Sequence, residues 1–299
     1  MDDELLLSQR EMITMKKCAL IRTKGLLTKS VGLGLTVSLA MGVAASAAVV
    51  WTDNFDSYAA GTYLNGQGGW TDTGGNNYQF VAAGVNGTGG VNQGSGSQQM
   101  TWTGHAWDWG TTVAVGESVV VGMDFQANGS GVFDDDRVGW VSSAGTSSSY
   151  HFGVQLDNTD NGAPSGLVTY FRDNGGGRTG GATLIPWATL SSTGSNWYRE
   201  QLTVKKLTSG LGAGGAEMSV AFWALDGSGN PVGSPLTASM TLDTSALRGF
   251  SGTVYPMFKN YSNTAGNADN AYFAIIPETG SWSLLAVGAL ALGARRRRA

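Results

Sequence analysis

Three side chains within five residues, His105, Trp107 and Trp109, have the types and spacing of a sugar-binding platform. On an extended strand they share one face and leave Asp108 on the other. Flat indole faces stack on sugar rings, while the imidazole or a nearby Asn or Asp fixes hydroxyls. The same alternation is also that of half a sandwich core, and both readings stay open here. A second group could hold a cation. Asp134, Asp135 and Asp136 in a row, with Asp157 and Asp160 in the loop Asp157-Asn158-Thr159-Asp160-Asn161, supply the hard oxygens of which Ca²⁺ takes about six to eight. Calcium is therefore the candidate cofactor. The spacing matches no defined calcium loop, since Asp226-Gly227-Ser228-Gly229-Asn230 lacks a closing glutamate. Solvated turns with Asx caps use the same residue types.

Other chemistry is poorly supplied. There is no G-x-S-x-G elbow, and His105 and His151, the two histidines of the chain, form no H-E-x-x-H pair. The single cysteine, Cys18, lies in the leader described below, so the domain that follows has neither disulfides nor thiolate chemistry. Residues 48–280 carry 14 aspartates and 4 glutamates against 8 lysines and arginines, a net charge of −10. An acidic domain without a basic patch argues against nucleic acid as a partner. It also argues against electrostatic capture of anionic polysaccharide, unless a cation bridges the two.

The elements that must position these groups are strands. Glycine makes up 46 of 299 residues, roughly twice the usual share of about 7%. Short alternating segments are split by Gly/Asn/Asp/Ser turns, and no long amphipathic helix interrupts them. Strands are predicted over Tyr78–Val81, Gln98–Trp102, Ser118–Phe125, Arg137–Val141, Tyr150–Leu156, Leu167–Arg172, Trp197–Lys205, Glu217–Ala224, Thr253–Phe258 and Ala271–Ile276. The Gly-rich stretch from Gly84 to Gly96 reads as a long loop. Trp51, Trp70, Trp140, Trp197 and Trp223 fall in or beside strand patterns and are expected in the core. So many short strands predict an all-β sandwich of two antiparallel sheets over one core.

Particular motifs sharpen this. Asp53-Asn54-Phe55-Asp56-Ser57-Tyr58, then Gly61 and Gly66-Gln67-Gly68-Gly69-Trp70, resembles the opening of concanavalin-A-like (laminin-G-like) jelly rolls. Residues 134–141 and 150–154 are similar to paired central strands of that fold, the thrombospondin carboxy-terminal domain included. Trp197-Tyr198-Arg199 resembles a later core strand. The resemblance spans most of residues 50–276 and implies a jelly roll at 48–275, with structural calcium near acidic loops. Laminarinase-like glycosidases on this fold carry E-x-D-x-x-E on one strand, but Glu117, Glu200 and Glu217 do not start that pattern. Alginate-lyase-type jelly rolls use a Tyr/His/Arg/Gln constellation. Tyr255-Pro256-Met257-Phe258-Lys259-Asn260-Tyr261 is loosely similar to their Y-F-K-x-G-x-Y strand, without its glycine and without R-x-E or Q-x-H companions.

The two ends carry addresses. Lys16, Lys17, Arg22, Lys24 and Lys29 precede an apolar run from Val31 to Ala45, and Ala45-Ser46-Ala47 forms a small-x-small cleavage site. Residues 1–47 thus read as a leader with a secretory signal peptide, translation starting at Met15. At the other end, Pro277, Glu278 and Thr279 are followed by an apolar run over 282–294 and by Arg295, Arg296, Arg297 and Arg298. Thirteen helical residues reach roughly 20 Å, short of a bilayer core of about 30 Å, and the arginines stay on the cytoplasmic side. This tail, 276–299, resembles the PEP-CTERM sorting signal of Gram-negative exosortase substrates. Thr279 stands where that family has a second proline, which admits a sortase LPxTG-like reading. The resemblance implies an exosortase-type processing partner, transient anchoring in the inner membrane, and delivery to the cell surface or matrix. The expectation is a non-catalytic protein that binds carbohydrate or belongs to an exopolysaccharide (biofilm) matrix. A polysaccharide-degrading glycosidase or lyase and a purely structural surface protein are the alternatives.

Overall fold

The computed structural model describes residues 49–277 except 74, 76, 94–98, 127–135, 143–150, 158–165, 173–180, 191–196, 246–247 and 261–265. Sixteen strands are present among them: β1 (Val49–Asp53), β2 (Trp70–Asp72), β3 (Tyr78–Val81), β4 (Gly90–Gln93), β5 (Met100–Trp102), β6 (Trp107–Asp108), β7 (Ser118–Gln126), β8 (Asp136–Val141), β9 (His151–Asp157), β10 (Gly166–Arg172), β11 (Thr183–Pro186), β12 (Trp197–Lys206), β13 (Ala216–Leu225), β14 (Pro231–Leu242), β15 (Thr253–Lys259) and β16 (Asn267–Ile276). Sheet I runs β14-β13-β12-β7-β16-β4-β3, with β1 also on β16. Sheet II runs β11-β10-β9-β8-β15-β5-β2, with β6 also on β15. Every pairing is antiparallel, and the chain is the two-sheet jelly-roll sandwich expected from its sequence.

Alternation decides what lies between the sheets. Val119, Val121, Met123 and Phe125 of β7 face inward, as do Val138 and Trp140 of β8 and Phe152, Val154 and Leu156 of β9. Tyr198, Leu202 and Val204 of β12 join them with Phe222 of β13 and Phe273 of β16. Aromatic rings fill one end, where Phe250 makes edge contacts with Trp109, Trp140 and Phe152 at 4.8, 5.5 and 4.7 Å.

The opening motif is a structural corner. Asp53 Oδ2 accepts hydrogen bonds from the Tyr58 hydroxyl and from Trp70 Nε1, each at 2.8 Å, while Oδ1 accepts the Phe55 amide at 2.9 Å. One carboxylate therefore ties the end of β1 in sheet I to Trp70 of β2 in sheet II. Glycine is required at Gly69, which has φ +80° and whose missing Cβ would meet the Gly104 backbone at 3.1 Å.

The outer face of sheet I, turned away from sheet II, carries a buried polar ladder. Arg199 on β12 donates two bonds to Asp124 on β7 at 2.6 and 2.8 Å, and Asn270 Nδ2 donates a third at 2.8 Å. Burial alone would lower the Arg199 pKa, but the charge and hydrogen bonds of Asp124, with the nearby Tyr272 and Asp269, together more than reverse it. Next in line, Asp269 accepts the amides of Asn270 and Val85 and the Thr88 hydroxyl. Burial, and then the nearby Asp124 charge, push the Asp269 carboxyl up to about 8.

The sequence reading needs correction in several places, beginning with β1, β2, β6 and β11, which it did not predict. The stretch Gly84 to Gly96, expected to be one long loop, contains β4, which pairs with β3 and β16. A twelve-residue edge strand, β14, went unpredicted because Pro231, Gly233 and Pro235 interrupt its alternation. Trp70 and Trp140 are buried as expected, whereas Trp51 and Trp223 are only half-buried and Trp197 packs with Val85 and Leu225 outside the main core.

Because the Asp269 pKa is raised over its unfolded value, its favourable contribution is complete below about pH 4 and is lost as the pH climbs to about 8. Stability measured by urea unfolding should therefore decline across this window. The Asp269→Asn protein should show a flatter profile, and an unchanged slope would contradict the assignment.

Candidate functional site

The expected His105–Trp107–Trp109 platform does not form. Trp107 and Trp109 are 3% and 1% exposed and belong to the core, where Trp107 meets Trp140 edge-on at 5.0 Å. They share no long strand either: β6 is two residues, and His105 ends a 3₁₀ turn over Thr103–His105. The physical reason lies in Lys206. Its ammonium is buried and donates to the carbonyls of Trp109 and Val113, each at 2.7 Å, pulling this loop onto the end of β12. His105 separates from the two tryptophans. It is half-buried, 4.9 Å from Trp51 and edge-on to Trp102 at 4.3 Å. Burial lowers its pKa, against the pull of Asp53.

Of the five proposed calcium residues, the structure describes Asp136 and Asp157. Asp134, Asp135 and Asp160 lie outside the described residues, as do Glu278, Thr279 and Arg295 to Arg298. Asp157 ends β9. Asp136 opens β8 and is buried, with the inward parity of Val138 and Trp140. Among the described residues no three His, Cys, Asp or Glu side chains group to hold a metal ion.

The structure instead gathers hydrogen-bonding side chains on the outer face of sheet II. Register aligns Lys259 of β15, Arg137 of β8 and Gln155 of β9 in one row, and Arg137 Nε donates to Gln155 Oε1 at 3.0 Å. A parallel row runs Tyr255, Val141, His151. Between them lie Thr101, Met257, Gly139 and Gly153. Gly139 and Gly153 are neighbours in this middle row, and both are buried. Their backbones approach so closely that a Cβ on Gly139 would lie 2.1 Å from the Phe152 carbonyl oxygen. Gln99, two residues before Thr101, joins the same side. Gln99, Thr101, His151, Gln155 and Lys259 are all buried. Gln99 Nε2 and Thr101 Oγ1 have no hydrogen-bond partner among the described residues. Polar groups this deep normally have one, and such orphans mark places built for something else.

Carboxylates suited to glycoside hydrolysis are elsewhere. Glu117 accepts the Ala114 amide in the turn before β7, Glu217 is exposed on sheet I, and Glu200 points into the interior. Sequence reasoning missed this face because His151, Gln155 and Arg137 look like ordinary strand residues until register sets them side by side. The available signal was the pairing of Gly139 and Gly153 in two adjacent strands.

No family model and no curated protein matches the chain. Among solved structures it is similar to peanut lectin with a 9mer peptide, at 12% identity and a TM-score of 0.44, covering 79% of this chain and 100% of that one. It is similar to lectin I from Ulex europaeus in complex with the methyl glycoside of α-L-fucose, at 9% and 0.45, covering 77% and 98%. A third is arcelin-5, a lectin-like defense protein from Phaseolus vulgaris, at 9% and 0.45, covering 77% and 99%.

Core placement of the two tryptophans has a direct consequence. Trp107→Ala or Trp109→Ala should each cost about 3 to 5 kcal/mol of unfolding free energy, read by denaturant melts. A cost under about 1 kcal/mol would show that the rings are not packed inside.

Proposed function

We propose that the domain is a carbohydrate-binding module without catalytic activity, and that sheet II presents its binding face. The observation that carries this reading is the set of Gln99, Thr101, Arg137, His151, Gln155 and Lys259 gathered on one side of sheet II, all but Arg137 buried, around the closely packed Gly139–Gly153 pair. Amide, hydroxyl, imidazole and guanidinium groups are what polyhydroxylated ligands are fixed by. No glutamate stands on that face among the described residues.

One observation favours a second reading. Arg137, His151, Gln155 and Tyr255 are the residue types of the lyase constellation, and the fold brings them to one face although their sequence spacing does not match that family. A lyase acting on uronate chains would leave unsaturated sugar, so the two readings separate in one assay. The purified chain should be retained by one or more members of a panel of neutral and uronate polysaccharides without releasing reducing ends or unsaturated product. Arg137→Gln should weaken that retention about tenfold, which is about 1.4 kcal/mol, with the melting temperature within a few degrees. Product release would favour the lyase, and absence of both binding and product would favour a structural surface protein.

Delivery to the surface belongs to the same proposal. The leader over 1–47 and the tail over 276–299 support export, transient inner-membrane anchoring and release by an exosortase-type enzyme in a Gram-negative cell. Among the described residues no helix is long and apolar enough to cross a membrane, and the run 282–294 lies outside them. Replacing Pro277 and Glu278 by alanine should leave the chain in the membrane fraction at its uncleaved mass. Normal release of that variant would overturn the sorting assignment.

A further inference from the structure

Five large hydrophobic side chains are exposed among the described residues: Tyr63, Val115, Leu207, Leu211 and Val232. Three of them gather at one end of sheet I. Val115 closes the loop before β7, and the next residue, Gly116, donates its amide to the Lys206 carbonyl at 2.8 Å. Leu207 and Leu211 lie in the turn from β12 to β13, where the Leu207 amide donates to the Gly215 carbonyl at 3.0 Å. Val115, Leu207 and Leu211 are 53%, 39% and 47% exposed. Neither segment, 110–116 or 207–215, contains a charged residue. Exposed aliphatic side chains scattered singly need no explanation, but three together in uncharged turns mark a contact surface.

The chain also leaves the domain at this end. Ser118, the first residue of β7, pairs with Ile276, the last of β16, and on its other side with Lys205. Two strand spacings, about 10 Å, therefore separate Ile276 from the end of β12 that leads to Leu207. Val49 of β1 pairs with Ile275, so the first strand begins here too. Five residues, 277–281, lie between Ile276 and the apolar run over 282–294. Fully extended, they reach at most about 18 Å. A tail anchored in a bilayer would hold this end of the sandwich within that distance of the lipid. Val232 lies at the far end of sheet I, opposite Ala224, whereas Thr241 of the same strand stands opposite Glu217. At about 3.3 Å per residue, roughly 30 Å separates those two positions. Charge gives the near end no hold on anionic headgroups. Lys206 is buried on carbonyls, and Lys205 shares this end with Glu117, Glu217 and Asp243. Apolar contact with the headgroup–acyl boundary is what these turns can offer.

We propose that Val115, Leu207 and Leu211 form a lipid-contact patch that seats the anchored domain on the bilayer surface. The inference rests on the tail acting as the membrane anchor proposed above. Three side chains bind lipid weakly by themselves, and the short tether supplies the effective concentration that makes them count. Cutting the tail removes that tether, so the same cut frees the patch from the membrane.

The test uses the full chain with Cys18→Ser, expressed without an exosortase and reconstituted into zwitterionic or anionic vesicles. A fluorophore is attached through Leu211→Cys, or through Val232→Cys as the far-end control. Flotation reads the anchoring, and quenching by spin-labelled lipid reads the patch. The Leu211→Cys probe should be quenched equally in both kinds of vesicle, and the Val232→Cys probe should not be quenched. Adding Val115→Ser and Leu207→Ser should lower the contact equilibrium at least about tenfold. A chain that floats with its Leu211→Cys probe unquenched overturns the patch and leaves the anchoring standing. Equal quenching at both positions overturns it as well. A chain that does not float removes the anchoring and the patch with it. A Leu211→Cys probe already shielded without vesicles, and more so at higher protein concentration, shows a second copy in place of lipid and overturns the proposal.

Discussion

The structure depends on β7 being buried on both faces. One face of this nine-residue strand forms the floor of the inter-sheet core through Val119, Val121, Met123 and Phe125. The other packs Val120 under Tyr272, Ala274 and Ile276, and places Asp124 against Arg199. A strand covered on both sides tolerates a charge only when the charge is paired, and the bidentate Asp124–Arg199 bridge does this. The bridge also pins β12 to β7, and Asn270 extends it to β16. Gly122 completes the arrangement, since a Cβ there would lie 2.2 Å from the Tyr272 ring and hydroxyl.

Polar residues separate into three environments. On sheet I the charged groups outside the core answer one another, with Asp124, Arg199, Asp269 and Asn270 all partnered. In the interior, Lys206 is satisfied by carbonyls that close a loop, while Glu200 is not satisfied by anything described. On the outer face of sheet II, hydrogen-bonding groups surround a glycine floor. The first environment is structural, the second lies in the core, and the third is the side proposed to take a ligand.

Legibility in the sequence followed the physics of alternation. All ten predicted strands have counterparts, because a half-buried strand shows its period of two directly. The short β2 and β6 were missed, since two or three residues show no period. So was β14, whose prolines and glycine are tolerated on an edge strand. The candidate site was less legible. His105, Trp107 and Trp109 were correctly seen as alternating types, but the loop drawn in by Lys206 turns both tryptophans inward and leaves only the histidine half-exposed.

The sequence by itself determined the class of fold, through strand periodicity, turn residues and the lack of long amphipathic helices. It also determined which residues of each long strand travel together on one face. Only the tertiary structure decided which face lies inside and which strands become neighbours. Alternation is symmetric between the two faces, and pairing joins residues far apart in the chain, so neither can be read locally. Hence Arg137, His151 and Gln155 acquire a common address only when β8 and β9 pair.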